Sequence, residues 1–112
     1  PLQNFSRLEE RLQVISILLS TDSDPRILED LPEQIKQALN AIEKVRFERA
    51  RLQGFNPTSL DFEIAYTVTS PAYADLIKAS HQVNLAVLDL INQLGLRPGA
   101  VTLTLSKDAK PF

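Results

Sequence analysis

The order of the apolar periodicities along the chain predicts an α+β fold with the element order β-α-β-β-α-β. Residues 60–68 are apolar at every second position, which is typical of a strand with one buried face. One stretch before them and one after them are apolar at spacings of three and four residues, which indicates amphipathic helices. This order is that of a ferredoxin-like fold, a four-stranded, mainly antiparallel sheet with two helices on one face.

The first strand is predicted in residues 8–20, where the stretch from Val14 to Leu19 is almost continuously apolar. Such a run is typical of a strand that is covered on both faces, so we place this strand in the centre of the sheet.

The first helix is predicted to follow Asp24, a good N-cap, with Pro25 at its first position. It should end near residues 41–44. Proline in a helix interior costs about 3 kcal/mol. Pro32 therefore predicts either a separate opening turn or a helix that properly begins near Leu31.

A charged edge strand is predicted in residues 43–55, since charge protects an exposed strand edge from unwanted pairing. The charged residues of this edge are Arg46, Glu48, Arg49 and Arg51. The functional alternative is that they lie at a subunit contact or line an opening. The apolar residues change phase after Phe47, which predicts a bulge near Glu48 or Arg49. The residues from Gly54 to Pro57 are of types that favour a turn, and an interior strand is predicted in residues 58–70.

The second helix is predicted to use Ser70 as its cap and Pro71 as its first residue, and to end at Gly95. Its apolar residues are expected to share one face, from Tyr73 through Ile77 and Val83 to Leu94. A turn then leads to an alternating last strand, which we also consider a candidate subunit contact: Ala100, Val101, Thr102, Leu103, Thr104 and Leu105. Residues 106–112 are predicted to form a loose tail.

Composition excludes several classes of function. The chain has 112 residues, enough for one domain, and a net charge of −2, which does not favour nucleic acid as a partner. It has no cysteine and one histidine, so thiolate sites and multi-histidine metal sites are not expected. His81 beside Ser80 predicts an exposed surface histidine rather than a catalytic pair. We expect no catalytic residues, no cofactor and no metal, and therefore no enzyme.

Several patterns, taken in order, resemble the C-terminal cytoplasmic α/β domain of the small-conductance mechanosensitive channel (MscS) family. The strand pair VRFERARLQGFNPTSLDFEIAYTV has the family's glycine-aromatic turn and Ser-Leu-acid-Phe-Glu strand, and HQVNLAVLDLINQLGL is similar to its last helix. Asn4 to Arg7 resembles the end of a preceding β domain. The chain departs from the family at residues 97–102, where an aromatic-proline-threonine segment is common.

The resemblance implies a vestibule domain in a channel that opens under membrane tension and releases ions and small osmolytes. It divides the chain into residues 1–7, the tail of a preceding β domain; residues 8–105, the cage domain; and residues 106–112, a C-terminal tail. It implies self-association, as a heptamer in the parent channel, with the closing strands forming a small barrel. It also implies a bacterial inner membrane as the location, with this domain on the cytoplasmic side. Consistent with a piece of a longer or processed protein, the chain begins with Pro1 and has no methionine.

The alternative is a ligand-sensing regulatory domain of the ACT type, which has the same fold and binds a small metabolite between paired sheets. Such domains usually have a glycine in the turn between the first strand and the first helix. Here that turn, Thr21 to Asp24, has none.

Overall fold

A computed structural model describes residues 9–99 of the chain. It contains three strands and two helices: β1 (Arg11–Leu19), α1 (Pro25–Asn40), β2 (Val45–Phe55), β3 (Leu60–Val68) and α2 (Tyr73–Gln93). The α+β class and the order of these five elements are confirmed. The predicted fourth strand, residues 100–105, lies outside the described residues, so the complete ferredoxin-like order stays a prediction.

The sheet is antiparallel throughout, with the order β1-β3-β2. As predicted, β3 is interior and β2 is at an edge. On the other side of β1, an isolated antiparallel bridge joins Leu19 to Pro98. Two backbone hydrogen bonds flank this bridge, from the Ser20 N–H to the Arg97 carbonyl at 2.8 Å and from the Gly99 N–H to the Leu18 carbonyl at 3.0 Å.

Both helices cover the same face of the sheet and form one core with it. Because side chains alternate along a strand, every second residue of β3 from Leu60 to Val68 points toward the helices. All five of these residues are buried, and they form one cluster with Leu31, Ile35 and Leu39 of α1 and Val83 and Val87 of α2.

The prediction that β1 is covered on both faces was wrong. Its residues alternate between half-buried and exposed, and Leu12 and Val14 on the face away from the helices are 56% and 49% exposed. A run of consecutive apolar residues cannot distinguish burial on two faces from burial on one. Here both helices lie on a single face of the sheet, so β1 is buried on that face only.

The predicted bulge in β2 is confirmed. The register shifts between Phe47 and Arg49, and again, unexpectedly, between Leu52 and Gly54. The first shift puts Phe47 and Ala50 on the same face, opposite Tyr66 and Ile64 of β3. The apolar residues of β2 therefore all reach the helix side despite their change of phase in the sequence.

The start of α1 is confirmed, but the prediction for Pro32 was wrong. The Asp24 carboxylate accepts a hydrogen bond from the Arg26 N–H at 2.9 Å, and Pro25 is at the first position. The helix continues through Pro32 without a break. Burial of an aliphatic side chain contributes about 1.5–3 kcal/mol. The buried leucines and isoleucine on either side of Pro32 thus offset the roughly 3 kcal/mol that the proline costs.

The second helix ends as predicted and begins later than predicted. Gly95 has a φ of 72°, and the N–H of Leu96 reaches back to the Ile91 carbonyl at 3.1 Å, which is a Schellman motif. At the other end, α2 begins at Tyr73 rather than Pro71. Ser70 does not cap it because its hydroxyl donates to the Asp75 carboxylate at 2.6 Å and accepts from the Ala72 N–H.

The expectation of one shared apolar face on α2 was also wrong. The helix buries Ala79, Val83 and Val87, whereas Tyr73 and Ile77 are exposed. It therefore carries two apolar stripes, one against the sheet and one that no described element covers.

Candidate functional site

The candidate site is the helix-free face of the sheet, by which we mean the side of β1, β2 and β3 that points away from both helices. The centre of this face is formed by Glu63, Ala65 and Thr67 of β3, which lie opposite Arg51, Arg49 and Arg46 of β2. Ala65 and Thr67 are buried although no helix covers them. Their burial indicates that side chains of β1 and β2 lie partly over the central strand, although the arginines of β2 stay about half exposed.

The first ion-pair cluster on this face is centred on Arg46. Its guanidinium donates two hydrogen bonds to the Glu10 carboxylate, at 2.9 and 3.1 Å, and a third to Glu48 at 3.2 Å. The carboxylates of Glu10 and Glu48 stabilise the charged form of the Arg46 side chain, and the pKa of Arg46 is accordingly raised.

Glu48 links this cluster to the central strand. Its carboxylate accepts a hydrogen bond from the Thr67 hydroxyl at 2.6 Å. This bond, and to a lesser extent the Arg46 guanidinium, lowers the pKa of Glu48, while partial burial opposes the shift. The bulge in β2 lies beside Glu48, so the extra residue that it inserts is the one that reaches Thr67.

The second cluster places two arginines on one carboxylate. The Nε atoms of Arg49 and Arg51 lie 3.2 and 3.3 Å from the same oxygen of Glu63. The Glu63 side chain is 12% exposed, while both arginines are about half exposed. Two arginines therefore share one carboxylate, on a face that also carries the carboxylates of Glu10, Glu48 and Asp61.

All four residues of the predicted charged edge therefore meet on one face, but as a network anchored to β3. The sequence analysis did not predict the partners Glu63 and Thr67, because alternation in β3 marks only which residues face the core. The function of this edge at a subunit contact or an opening stays a prediction.

The other candidate contact, Ala100 to Leu105, lies outside the described residues. The segment that leads to it is held closely against the sheet. A Cβ atom on Gly99 would lie 2.6 Å from the Ser59 Cβ and 3.0 Å from the Leu19 carbonyl oxygen. Only glycine therefore fits at this position without a shift of its neighbours.

An apolar groove is the feature that the sequence analysis missed. It has a volume of about 560 Å³ and lies between the start of α1 and the turn that joins β2 to β3. Its apolar walls, which we call the hairpin groove, are Pro25, Leu28, Leu52, Phe55, Pro57 and Leu60. Leu52 and Phe55 pair with Phe62 and Leu60, so they are on the helix side of the sheet, yet Phe55 is 75% exposed. The signal available in the sequence was an aromatic residue directly after a glycine in a turn.

Three further features bear on function: the single histidine, possible metal-binding groups and possible membrane-spanning helices. His81 is exposed, as predicted. Within residues 9–99, no three histidine, cysteine or acidic residues are grouped so that they could hold a metal ion. The helices of that same part of the chain are not long and apolar enough to cross a membrane.

The fold and its surfaces define a two-layer α+β domain with a three-stranded described sheet, a charged helix-free face and uncovered apolar surfaces. The family model for "Mechanosensitive ion channel MscS, C-terminal" matches residues 13–97. This match extends over most of the chain, so the chain belongs to that family, as the resemblance of the strand pair and last helix indicated.

Solved structures agree with this assignment at the level of the fold. The chain is similar to Arabidopsis thaliana MSL1, solved by cryo-EM, with 18% identity and a TM-score of 0.72 over 82% of this chain and 34% of that chain. A variant of MSL1 gives 18% identity and a TM-score of 0.73, over 82% of this chain and 36% of that one. The chain thus spans about one third of the length of these proteins. No curated protein matches it.

Proposed function

We propose that this chain is a non-catalytic vestibule domain on the cytoplasmic side of a mechanosensitive ion channel. Membrane tension would open a pore formed elsewhere in the parent protein, and ions and small osmolytes would pass through it. The observation that carries the proposal is the family match over residues 13–97. In this proposal the chain performs no bond chemistry, and its function is to hold copies of the parent in register.

Assembly would use several copies of the chain, seven in the parent channel, with Ala100 to Leu105 as the closing strand between subunits. The backbone hydrogen bonds at Ser20 and Gly99 support this proposal, because they direct the chain toward that segment from a fixed point on the sheet. The bacterial inner membrane stays a prediction, since the solved relatives named above come from a plant.

The charged edge would line an opening of the vestibule. The half-exposed guanidinium groups of Arg49 and Arg51 support this role, because charged side chains near a pore bias which ions enter it. Replacing both arginines with glutamine in the parent channel should shift its reversal potential toward cation preference. An unchanged reversal potential would place the edge away from the conduction path.

The proposal as a whole is tested with the parent protein in membranes. Chemical cross-linking should give a closed ring of subunits, and suction applied to a membrane patch should produce channel openings. A parent that is strictly monomeric in the membrane would refute the assembly role, and a ring without tension-activated current would refute the channel function.

A further inference from the structure

Besides the exposed stripe of Leu12, Val14 and Leu18 on the helix-free face, two uncovered apolar surfaces of different shape remain on the described part of the chain. The first is the concave hairpin groove. The second is convex, a stripe on α2 that we call the α2 ridge, formed by Tyr73, Ile77, His81, Leu85 and Leu88. These residues recur at spacings of three and four, so they form one continuous line over about four turns. Four of the five are large apolar or aromatic side chains that are all more than half exposed.

We infer that the α2 ridge of one copy of this chain occupies the hairpin groove of the next copy. This inference rests on the proposed function, since it names the surfaces through which the copies associate. A ring of more than two subunits requires head-to-tail contacts, in which two different surfaces of the chain meet. The groove and the ridge are such a pair, because they lie on different elements and one is concave where the other is convex.

The charges beside the two surfaces are complementary. Glu29 lines the groove and is exposed, and it forms no ion pair or side-chain hydrogen bond within residues 9–99. On α2, Lys78 and His81 are exposed beside or within the ridge. Head-to-tail docking would bring the Glu29 carboxylate toward these cationic or hydrogen-bond-donating groups. Docking of two ridges on each other would instead bring like groups together.

Phe55 is the expected anchor of the contact. Aromatic residues in well-packed pockets dominate the binding energy of protein interfaces. Phe55 leaves most of its ring accessible at the rim of the groove, whose other apolar walls are aliphatic side chains and proline rings. The α2 ridge of a neighbouring copy would bury this ring between Leu52 and the ridge residues Leu85 and Leu88.

Cross-linking tests the inference directly, because the chain contains no cysteine. The 112-residue chain is prepared with the paired substitutions Glu29→Cys and His81→Cys, and with each one alone, and is treated with a short bis-maleimide. Head-to-tail docking predicts a ladder of multimers from the double variant and no multimers from either single variant. Dimers from His81→Cys alone would show ridge-to-ridge pairing and would overturn the inference.

Sedimentation of single variants gives an independent measurement. Phe55→Ser and Leu88→Ser should each weaken self-association by at least about tenfold, the loss expected for a residue at the centre of an interface. Leu12→Ser is the matched control, because Leu12 is as exposed as Leu88 but lies on the helix-free face. Its association should stay within about twofold of the unmodified chain. Far-UV circular dichroism confirms that each variant is folded.

The outcomes separate this inference from the proposed function. Self-association that survives Phe55→Ser and Leu88→Ser, without a ladder, overturns the ridge-and-groove contact and leaves the vestibule function intact. A chain that stays monomeric at every concentration also overturns the contact. The vestibule function is then decided separately by the ring formed by the parent in membranes.

Discussion

Replacing Gly99 with alanine should destabilise the chain, and the structure sets the size of the effect. The added Cβ would lie 2.6 Å from the Ser59 Cβ and 3.0 Å from the Leu19 carbonyl oxygen, whereas carbon atoms in contact are about 3.5–4.0 Å apart. Both neighbours are fixed, because Ser59 is buried and Leu19 belongs to β1. The strand end or the incoming chain must therefore move by about 1 Å.

Two opposing effects determine the net change in the free energy of unfolding. Overpacking at a fixed site costs about 1–3 kcal/mol. Alanine restricts the unfolded chain more than glycine does, which contributes about 0.4–1 kcal/mol in the other direction. We expect the overpacking to win, with a net loss of about 1–2 kcal/mol.

Urea denaturation followed by far-UV circular dichroism measures this loss, and Gly54→Ala provides the matched control. Nothing lies within 4 Å of a Cβ built on Gly54, so that variant should be as stable as the unmodified chain or slightly more stable. In a double-mutant cycle, Ser59→Gly should recover part of the loss caused by Gly99→Ala. Equal stability of Gly99→Ala and Gly54→Ala would refute the reasoning.

Three further predictions concern other elements. Gly95→Ala should cost about 1 kcal/mol in urea denaturation, because Gly95 has a φ of 72°; no loss would mean that the helix end rearranges. Pro32→Ala should raise stability by about 1–3 kcal/mol in the same assay, because it restores a helix hydrogen bond to Leu28; a loss would show that the ring itself packs productively. The pKa of Glu48 is lowered from its ordinary value of 4.5, so its contribution is present above that value and is lost as the pH falls through the lowered one. Thr67→Val removes the largest cause of the shift and should flatten the fall in melting temperature below about pH 4.5, and a profile parallel to that of the unmodified chain would contradict this.

Local signals in the sequence predicted those parts of the fold that depend on a few neighbouring residues. Asp24 and Pro25 define the start of α1 through one side-chain hydrogen bond and one fixed φ. Gly95 and Leu96 define the end of α2 in the same local way. The phase change after Phe47 predicted the bulge, because alternation is a property of the strand itself.

The features that the sequence did not predict depend on contacts between distant elements. The exposure of Leu12 depends on which side of the sheet the helices occupy. The helical conformation at Pro32 depends on the burial of Leu28 and Ile35 against the sheet. The partners of the charged edge, Glu63 and Thr67, were visible only once the register between β2 and β3 was known.

The attachment of residues 97–99 to the end of β1 determines how a pulling force would enter the domain. Two backbone hydrogen bonds and an ion pair between Arg97 and Asp22 hold this segment. A force applied to the chain beyond Gly99 would therefore load the sheet before it loads α2. The helix could keep its packing while the attachment bears the strain, and the site most sensitive to such a force would be the junction of Leu18, Leu19 and Gly99.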